Sequence, residues 1–114
     1  MKLDNSEINL DFHKLWESAY DTEGVTCFDV NLFPSYVLVN FLLISKSLSN
    51  KGIGNRVMEM VCNFADKHQK DILVTPDEGY GTPMILLIHF YGNFGFVQHD
   101  ISEGILIRKP KRIL

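Results

Sequence analysis

The chain has 114 residues, enough for one domain but too few for two self-sufficient cores. Its composition, 46% hydrophobic and 22% charged, is that of an ordinary soluble globular protein. The formal net charge of −3 at pH 7 argues against general nucleic-acid binding, and no apolar run is long enough to cross a membrane.

The cysteines and the two terminal segments indicate the kind of cellular compartment in which we expect the protein. Cys27 and Cys62 have neither a CxxC spacing nor a histidine at metal-ligand spacing, so we expect free buried thiols and no metal. No apolar stretch of signal-peptide length is present near the N-terminus, so we expect a cytoplasmic protein. The basic cluster at residues 108–112 predicts a solvated strand end.

Periodicity predicts three elements in the N-terminal half of the chain. Apolar residues at helical spacing predict a first helix with Trp16 as a core anchor. Alternation then predicts a half-buried strand at 25–33, followed by a turn at the proline of residues 33–35. The nearly continuous apolar run at 36–45, interrupted by Asn40, predicts a central strand covered on both faces.

The rest of the chain alternates between helix and strand patterns. After a polar segment, a second amphipathic helix runs to about His68, and a short buried strand follows at 72–75. Thr82-Pro83 predicts a third helix capped by the threonine, with proline in its first position. Residues 96–100 and 105–108 form an antiparallel pair. The order α-β-β-α-β-α-β-β predicts a mixed sheet with a parallel pair joined by a helical crossover.

The segment 42–56 carries the chemical signal, because a buried strand is followed by a glycine-containing loop and a helix. A helix N-terminus offers unpaired N–H groups and partial positive charge to an anion. Gly52 and Gly54 let the backbone approach a phosphate, and Lys51 and Arg56 add charge. Taken alone, such a glycine pair favours the plainer interpretation of a tight turn.

Two motifs together resemble those of the GNAT superfamily of N-acetyltransferases. Residues 49–54, Ser-Asn-Lys-Gly-Ile-Gly, are similar to the acetyl-CoA motif [RQ]-x-x-G-x-[GA]. Residues 90–96, Phe-Tyr-Gly-Asn-Phe-Gly-Phe, are similar to the second signature, and the resemblance covers about 36–108. It implies an α/β (α+β) fold, a central mixed β-sheet with a splayed parallel strand pair flanked by helices. The single domain, 1–114, would comprise a reduced acceptor-side part (1–35) and an acetyl-CoA-binding core (36–108).

The resemblance also implies a site. The free backbone edge of Leu42, Leu43 and Ile44 would pair with the pantetheine of acetyl-CoA. The pyrophosphate would lie on the loop and first helical turn, at Ser49, Asn50, Lys51, Gly52, Ile53, Gly54 and Asn55. Tyr91 would be the general acid that protonates the leaving thiolate, and a primary amine would attack the thioester directly.

This sequence departs from the family pattern in ways that leave alternatives open. Ser49 replaces the usual Arg or Gln, and Met84 replaces an Asn that often precedes the tyrosine by seven residues. The part before the central strand is short, so the acceptor stays undetermined: a protein lysine, a chain N-terminus or a small amine. The alternative is a weakly active or inactive CoA-binding or protein-interaction module. The length and layout also resemble those of very short phage-encoded acetyltransferases, and an unrelated α+β domain is a third possibility.

Single residues have competing interpretations as well. Tyr91 also fits a core aromatic residue. Asp77 and Glu78 are candidate bases or simply loop residues, while Asp29 and Glu23 fit a solvated strand face and a turn better than a base. No chemistry is assigned to the histidines: we expect His13 and His68 at exposed helix positions and His99 at the surface. An exposed sheet edge beside Phe96-Val97 would permit a homodimer.

Overall fold

The computed structural model describes residues 6–44, 52–77, 82–100 and 103–112. Its element order confirms the predicted one, with close to the predicted boundaries. The elements are α1 (Ser6–Asp21), β1 (Val25–Leu32), β2 (Tyr36–Ile44), α2 (Ile53–His68), β3 (Asp71–Val74), α3 (Met84–Gly92), β4 (Val97–Asp100) and β5 (Ile105–Arg108).

The strands form a five-stranded mixed sheet in the order β1-β2-β3-β5-β4. β2 and β3 are the parallel pair, joined by α2, whereas β1 with β2, β3 with β5 and β4 with β5 are antiparallel. This confirms the mixed sheet and the helical crossover. No helix among the described residues is long and apolar enough to cross a bilayer.

One face of this sheet makes the core. Alternate residues of the strands are buried and point to the same side, which follows from the two-residue period of a strand. The buried strand residues are Phe28, Val30, Val37, Val39, Ile72, Val74, Leu106 and Arg108.

The described helices all pack on this face. The rings of Phe12 in α1 and Phe64 in α2 lie 5.6 Å apart. Tyr91 of α3 belongs to the same core cluster. The crossovers β2-α2-β3 and β3-α3-β4 advance across the sheet in one direction, so with the usual right-handed connection both helices lie on one side. The expectation that β2 is covered on both faces is therefore not met: Val37 and Val39 are buried, but Leu38 is only half-buried.

The start of α3 differs from the prediction. The helix begins at Met84, and Pro83 is its N-cap, with φ −57° and ψ 145°. The Pro83 carbonyl accepts hydrogen bonds from the N–H groups of Leu86 and Leu87, at 3.0 and 3.1 Å. Thr82 is thus one residue too early to cap the helix, and no side chain among the residues that the structure describes caps it.

Two side chains of the helical layer were also placed wrongly. Trp16 is 41% exposed, and its ring contacts that of Tyr20 in a tilted arrangement, with 4.6 Å between ring centroids. The reason is that α1 turns Leu15 and Ala19 to the core instead. His68 is not exposed: its side chain is 13% exposed, and Nε2 lies 2.8 Å from Asp11 Oδ2. The packing of α1 across the last turn of α2 brings these two residues together.

The basic C-terminal cluster is not simply a solvated strand end. Arg108 is 4% exposed, and its Nη1 and Nη2 atoms donate to the two carboxylate oxygens of Asp66 at 2.9 and 3.2 Å. Its Nε also donates to the Phe94 carbonyl. Lys109 remains exposed and pairs with Asp71. Arg108 therefore ties β5 to α2, a role that composition could not indicate.

Candidate functional site

The parallel pair of strands comes apart halfway along β2. β2 and β3 are paired from Tyr36 with Asp71 to Val39 with Val74, and β3 ends there. β2 continues to Ile44, still paired with β1 on its other side. On the side that β3 has left, among the described residues, no strand satisfies the backbone of 40–44. Those N–H and C=O groups form an edge that an extended ligand can join, as an added strand would.

A register shift marks the point where the split begins. Val30 of β1 is opposite Val39, but Asp29 is opposite Phe41, so Asn40 is an extra residue in β2. Such a bulge bends its strand and increases the local twist. The polar Asn40, which interrupts an apolar run, was the only trace of this feature in the sequence.

No side chain in the described part of the chain caps the N-terminus of α2. Gly52 is the N-cap, with φ 76° and ψ 13°, and its carbonyl accepts the N–H of Arg56 at 3.0 Å. This left-handed conformation is strained for residues with a Cβ atom, which explains glycine here. The N–H groups of Ile53, Gly54 and Asn55 have no acceptor within the helix, and the helix dipole makes this end positive.

Gly54 has a role in packing that the sequence did not reveal. A Cβ atom at this position would lie 3.3 Å from Cζ of Phe90. The absence of a side chain therefore allows α3 to approach the first turn of α2 closely. This contact brings the helix that carries Tyr91 next to the end of α2 where the predicted phosphate site lies. The sequence signal for this contact is the Gly-x-Gly spacing, which predicted a phosphate site or a tight turn but not a close approach of two helices.

Tyr91 lies in an aromatic cluster at the end of α3. It is 6% exposed, and its ring centroid is 5.1 Å from that of Phe90 and 5.4 Å from that of Phe96. Burial raises the pKa of its hydroxyl to about 12, so the group is protonated at neutral pH. Among the described residues no hydrogen bond to this hydroxyl is present. A protonated hydroxyl suits a general acid, and the packing suits a core residue, so both interpretations of Tyr91 persist.

Part of the predicted site lies outside the described residues: Ser49, Asn50 and Lys51, the candidate base Glu78, and the side chains of Leu43 and Ile44. The described members are the half-buried Leu42, the exposed Gly52, the buried Ile53, the half-buried Gly54 and the exposed Asn55.

The candidate bases are spread over different parts of the fold. Asp77 and Glu23 are exposed, whereas Asp29 is half-buried on β1 opposite Phe41. Asp29 is thus a candidate carboxylate whose strand partner, Phe41, lies just past the point where the split opens. No group of three or more His, Cys, Asp or Glu residues within the described ranges has the geometry to hold a metal ion.

Comparison with known proteins gives likenesses of structure only. No protein-family model matches the sequence, and neither does any curated protein. Among solved structures, the anti-CRISPR protein AcrVA5 has a TM-score of 0.64 at 18% identity, over 76% of this chain and 92% of that one. Ard1 from Thermoplasma volcanium has a TM-score of 0.60 at 11% identity, over 98% of this chain and 84% of that one.

A third structure, the Bacillus subtilis N-acetyltransferase YlbP in complex with coenzyme A, has a TM-score of 0.46 at 22% identity, over 66% of this chain and 46% of that one. That value is too low to carry an argument. AcrVA5 and Ard1 have the GNAT acetyltransferase fold, and this chain has it too. The resemblance predicted from residues 49–54 and 90–96 is confirmed at the level of fold.

Proposed function

We propose that this protein binds acetyl-CoA and transfers its acetyl group to a primary amine of a protein or small molecule. The observation that carries the proposal is the split between β2 and β3, which lies beside the uncapped N-terminus of α2. A free strand edge suits an extended, amide-containing chain, and a helix N-terminus suits a diphosphate. Coenzyme A has both parts, joined in one molecule.

In the proposed complex the pantetheine amides pair with the backbone of β2 at Leu42, Leu43 and Ile44. The diphosphate accepts hydrogen bonds from the N–H groups of Ile53, Gly54 and Asn55, and the proposal extends this site to the preceding residues 49–52. The exposed Arg56 adds positive charge in the first turn of the helix. One domain, 1–114, would hold this coenzyme in a core of residues 36–108.

The reaction needs little covalent help from the protein. A neutral amine forms a bond from nitrogen to the carbonyl carbon of the thioester, and the C–S bond breaks. The amine loses a proton to water or to a nearby carboxylate, and the thiolate leaves with a proton from the Tyr91 hydroxyl, which solvent then reprotonates. The fold contributes mainly by holding the two reactants in line.

A second candidate is a CoA-binding or protein-interaction module without turnover. The observation that favours it is the tight packing of Tyr91 between Phe90 and Phe96, which suits a core residue. Ser49 and Met84, where the family usually has other residues, point the same way.

Calorimetry with coenzyme A and acetyl-CoA tests binding, and thiol release in the presence of amines tests turnover. We expect saturable heat with both ligands. Gly52→Val should weaken binding at least tenfold by straining the N-cap, whereas Gly52→Asn, which accepts a left-handed conformation, should retain more of it. Absence of heat with both ligands would exclude the enzyme and a CoA-binding module, and would leave only a protein-interaction module.

Tyr91→Phe separates the two candidates, because it keeps the ring and removes the proton. For an enzyme we expect kcat to fall at least tenfold while the Kd for acetyl-CoA stays within twofold. Phe94→Leu is the matched control, since Phe94 is a half-buried ring of the same cluster with no proton to give. Binding without thiol release in the wild-type protein would favour the second candidate.

A further inference from the structure

The face of the sheet opposite the helices is uncovered in the described structure. Leu38, Leu73, Ile105 and Ile107 are half-buried there, and Val97 is 62% exposed. On the helical face, the alternate residues of β2, β3 and β5 are buried. The contrast shows a one-sided sheet whose second face carries apolar side chains.

Part of this face is a continuous apolar row. Leu38 is opposite Leu73, Leu73 is opposite Ile107, and Ile107 is opposite Val97. Residues in register point to one face, so the row crosses four neighbouring strands, about 14 Å at the usual strand spacing. We refer to Leu38, Leu73, Ile107 and Val97 as the apolar row. Its outer end, Val97, lies on the edge strand β4.

The split in the sheet connects the two faces. A gap between strands is open on both sides of a sheet, whereas α2 and its N-terminus lie only on the helical side. A coenzyme whose diphosphate lies at α2 and whose pantetheine follows β2 would therefore present its thioester to the uncovered face. The apolar row begins at Leu38, two residues before the extra residue Asn40 at which the split opens.

We propose that the uncovered face is the docking surface for the acceptor, and that the acceptor is a lysine on an apolar patch of another protein. This inference rests on the proposed acetyl transfer and names its substrate class. A small amine is recognised in a concave site that encloses it, whereas a flat strip of apolar side chains suits a protein surface. An interaction surface of this kind is what an exposed apolar patch on a small domain usually marks.

Charge on this face fits a lysine. Asp29 is half-buried and points to the uncovered side, in register with Phe41 just past the split. Among the described residues, the ion pairs do not include Asp29. Its carboxylate is therefore available to attract an incoming ammonium group beside the proposed position of the thioester.

The test compares acceptors of different size with acetyl-CoA as donor. The probes are synthetic peptides with one lysine flanked by leucine or isoleucine, the same peptides with serine flanks, and Nα-acetyl-lysine amide. We expect kcat/KM for the leucine-flanked peptides to exceed that for the lysine amide at least tenfold. Leu73→Glu and Val97→Glu should lower the peptide value at least tenfold and leave the value for the lysine amide, and the Kd for coenzyme A, within twofold.

Two controls keep the result interpretable. Leu10→Glu makes the same kind of change at a 54% exposed position of α1, on the opposite side, and should change no kinetic constant. Val97→Glu changes a side chain that is already exposed, so it keeps the test valid even if Leu73→Glu does not fold. Asp29→Asn should raise KM for lysine peptides without changing the Kd for coenzyme A.

The outcomes separate this inference from the proposed function. Loss of coenzyme A binding in the wild-type protein would remove the proposed function itself. Normal binding with transfer to the lysine amide but to no peptide, or with peptide kinetics that Leu73→Glu and Val97→Glu leave unchanged, would overturn the inference alone. A wild-type dimer that these substitutions convert to a monomer, without change in peptide kinetics, would assign the face to self-association and overturn it as well.

Discussion

The two ends of α2 are built in opposite ways. At the N-terminal end, Gly52 is the N-cap, and within the described ranges no side-chain hydrogen bond caps the helix. At the C-terminal end, Asp66 accepts hydrogen bonds from Arg108 and from the N–H of Lys111. Gln69, in a left-handed conformation, closes the helix and donates its side-chain amide to the Asp66 and Lys111 carbonyls.

The difference indicates a division of labour within one helix. A helix end without side-chain partners leaves donors available, and it holds its position only if something else fixes the helix. The bonds at the C-terminal end and the packing of Val57, Val61 and Ala65 supply that anchor. Substitutions at the C-terminal end should therefore affect stability, and those at the N-terminal end should affect ligand binding more.

The largest effect should come from Arg108→Met at the anchored end. Burial alone would raise the pKa of Asp66 and lower that of Arg108, but their hydrogen bonds to each other reverse both shifts. Removing the guanidinium leaves a partly buried carboxylate with only the Lys111 N–H as partner. We expect the free energy of unfolding in urea to fall by about 3 kcal/mol or more. The double variant Asp66→Asn/Arg108→Met should recover part of the loss. A loss below about 1 kcal/mol for Arg108→Met alone would contradict the conclusion that this ion pair anchors the helix.

A smaller effect should appear at alkaline pH through Cys62, in the same half of the helix. Burial raises the pKa of this thiol from 9.0 to about 11. The unfolded chain then loses the proton first, so stability is complete below pH 9 and falls as the pH rises to 11. The loss should be on the order of 2 kcal/mol. Between pH 7 and pH 10.5, the free energy of unfolding in urea should fall less for Cys62→Ala than for the wild type. An equal fall in both proteins would show that the Cys62 thiol does not cause the pH dependence.

At the N-terminal end of α2, Gly52→Val should destabilise the protein less than the loss of the Arg108 guanidinium. The φ of 76° is strained for a β-branched residue, although no atom lies within 4 Å of a Cβ at this position. We expect a loss of about 1–2 kcal/mol from backbone strain alone. Thermal unfolding without coenzyme A measures the loss of stability, and the increase in Tm when coenzyme A is added measures the loss of ligand binding. Gly52→Asn should be milder, and equal losses for Val and Asn would show that strain is not the cause.

The smallest effect should come from Lys109→Ala. Its side chain is 73% exposed and pairs with Asp71 at 3.0 Å. Exposed pairs contribute little, so we expect less than about 1 kcal/mol, decreasing further in high salt. Urea unfolding in low and high salt is the measurement. A loss as large as that of Arg108→Met would mean that the difference in burial between Arg108 and Lys109 does not set their contributions to stability.

The elements that the sequence predicted best are those with a strong period. Alternation in 25–32 and the helical stripe of α2, with Val57, Val61 and Ala65, are local patterns that directly specify strand and helix. The start of α3 was missed because Thr82-Pro83 fits two registers of a helix start equally well. Trp16 was misplaced because one large apolar residue beside the true stripe carries no information on which side faces the core.

The order of helices and strands, the glycine-bearing helix start and the resemblance to the GNAT family can all be predicted from the amino-acid sequence. These depend on residues close together in the chain, where periodicity and backbone preference act. The tertiary structure alone decided where β2 and β3 separate, that Arg108 is buried against Asp66, that Gly54 admits Phe90, and that one face of the sheet stays uncovered. Each of these depends on segments distant in the chain, and their contacts are set by packing and register rather than by local pattern.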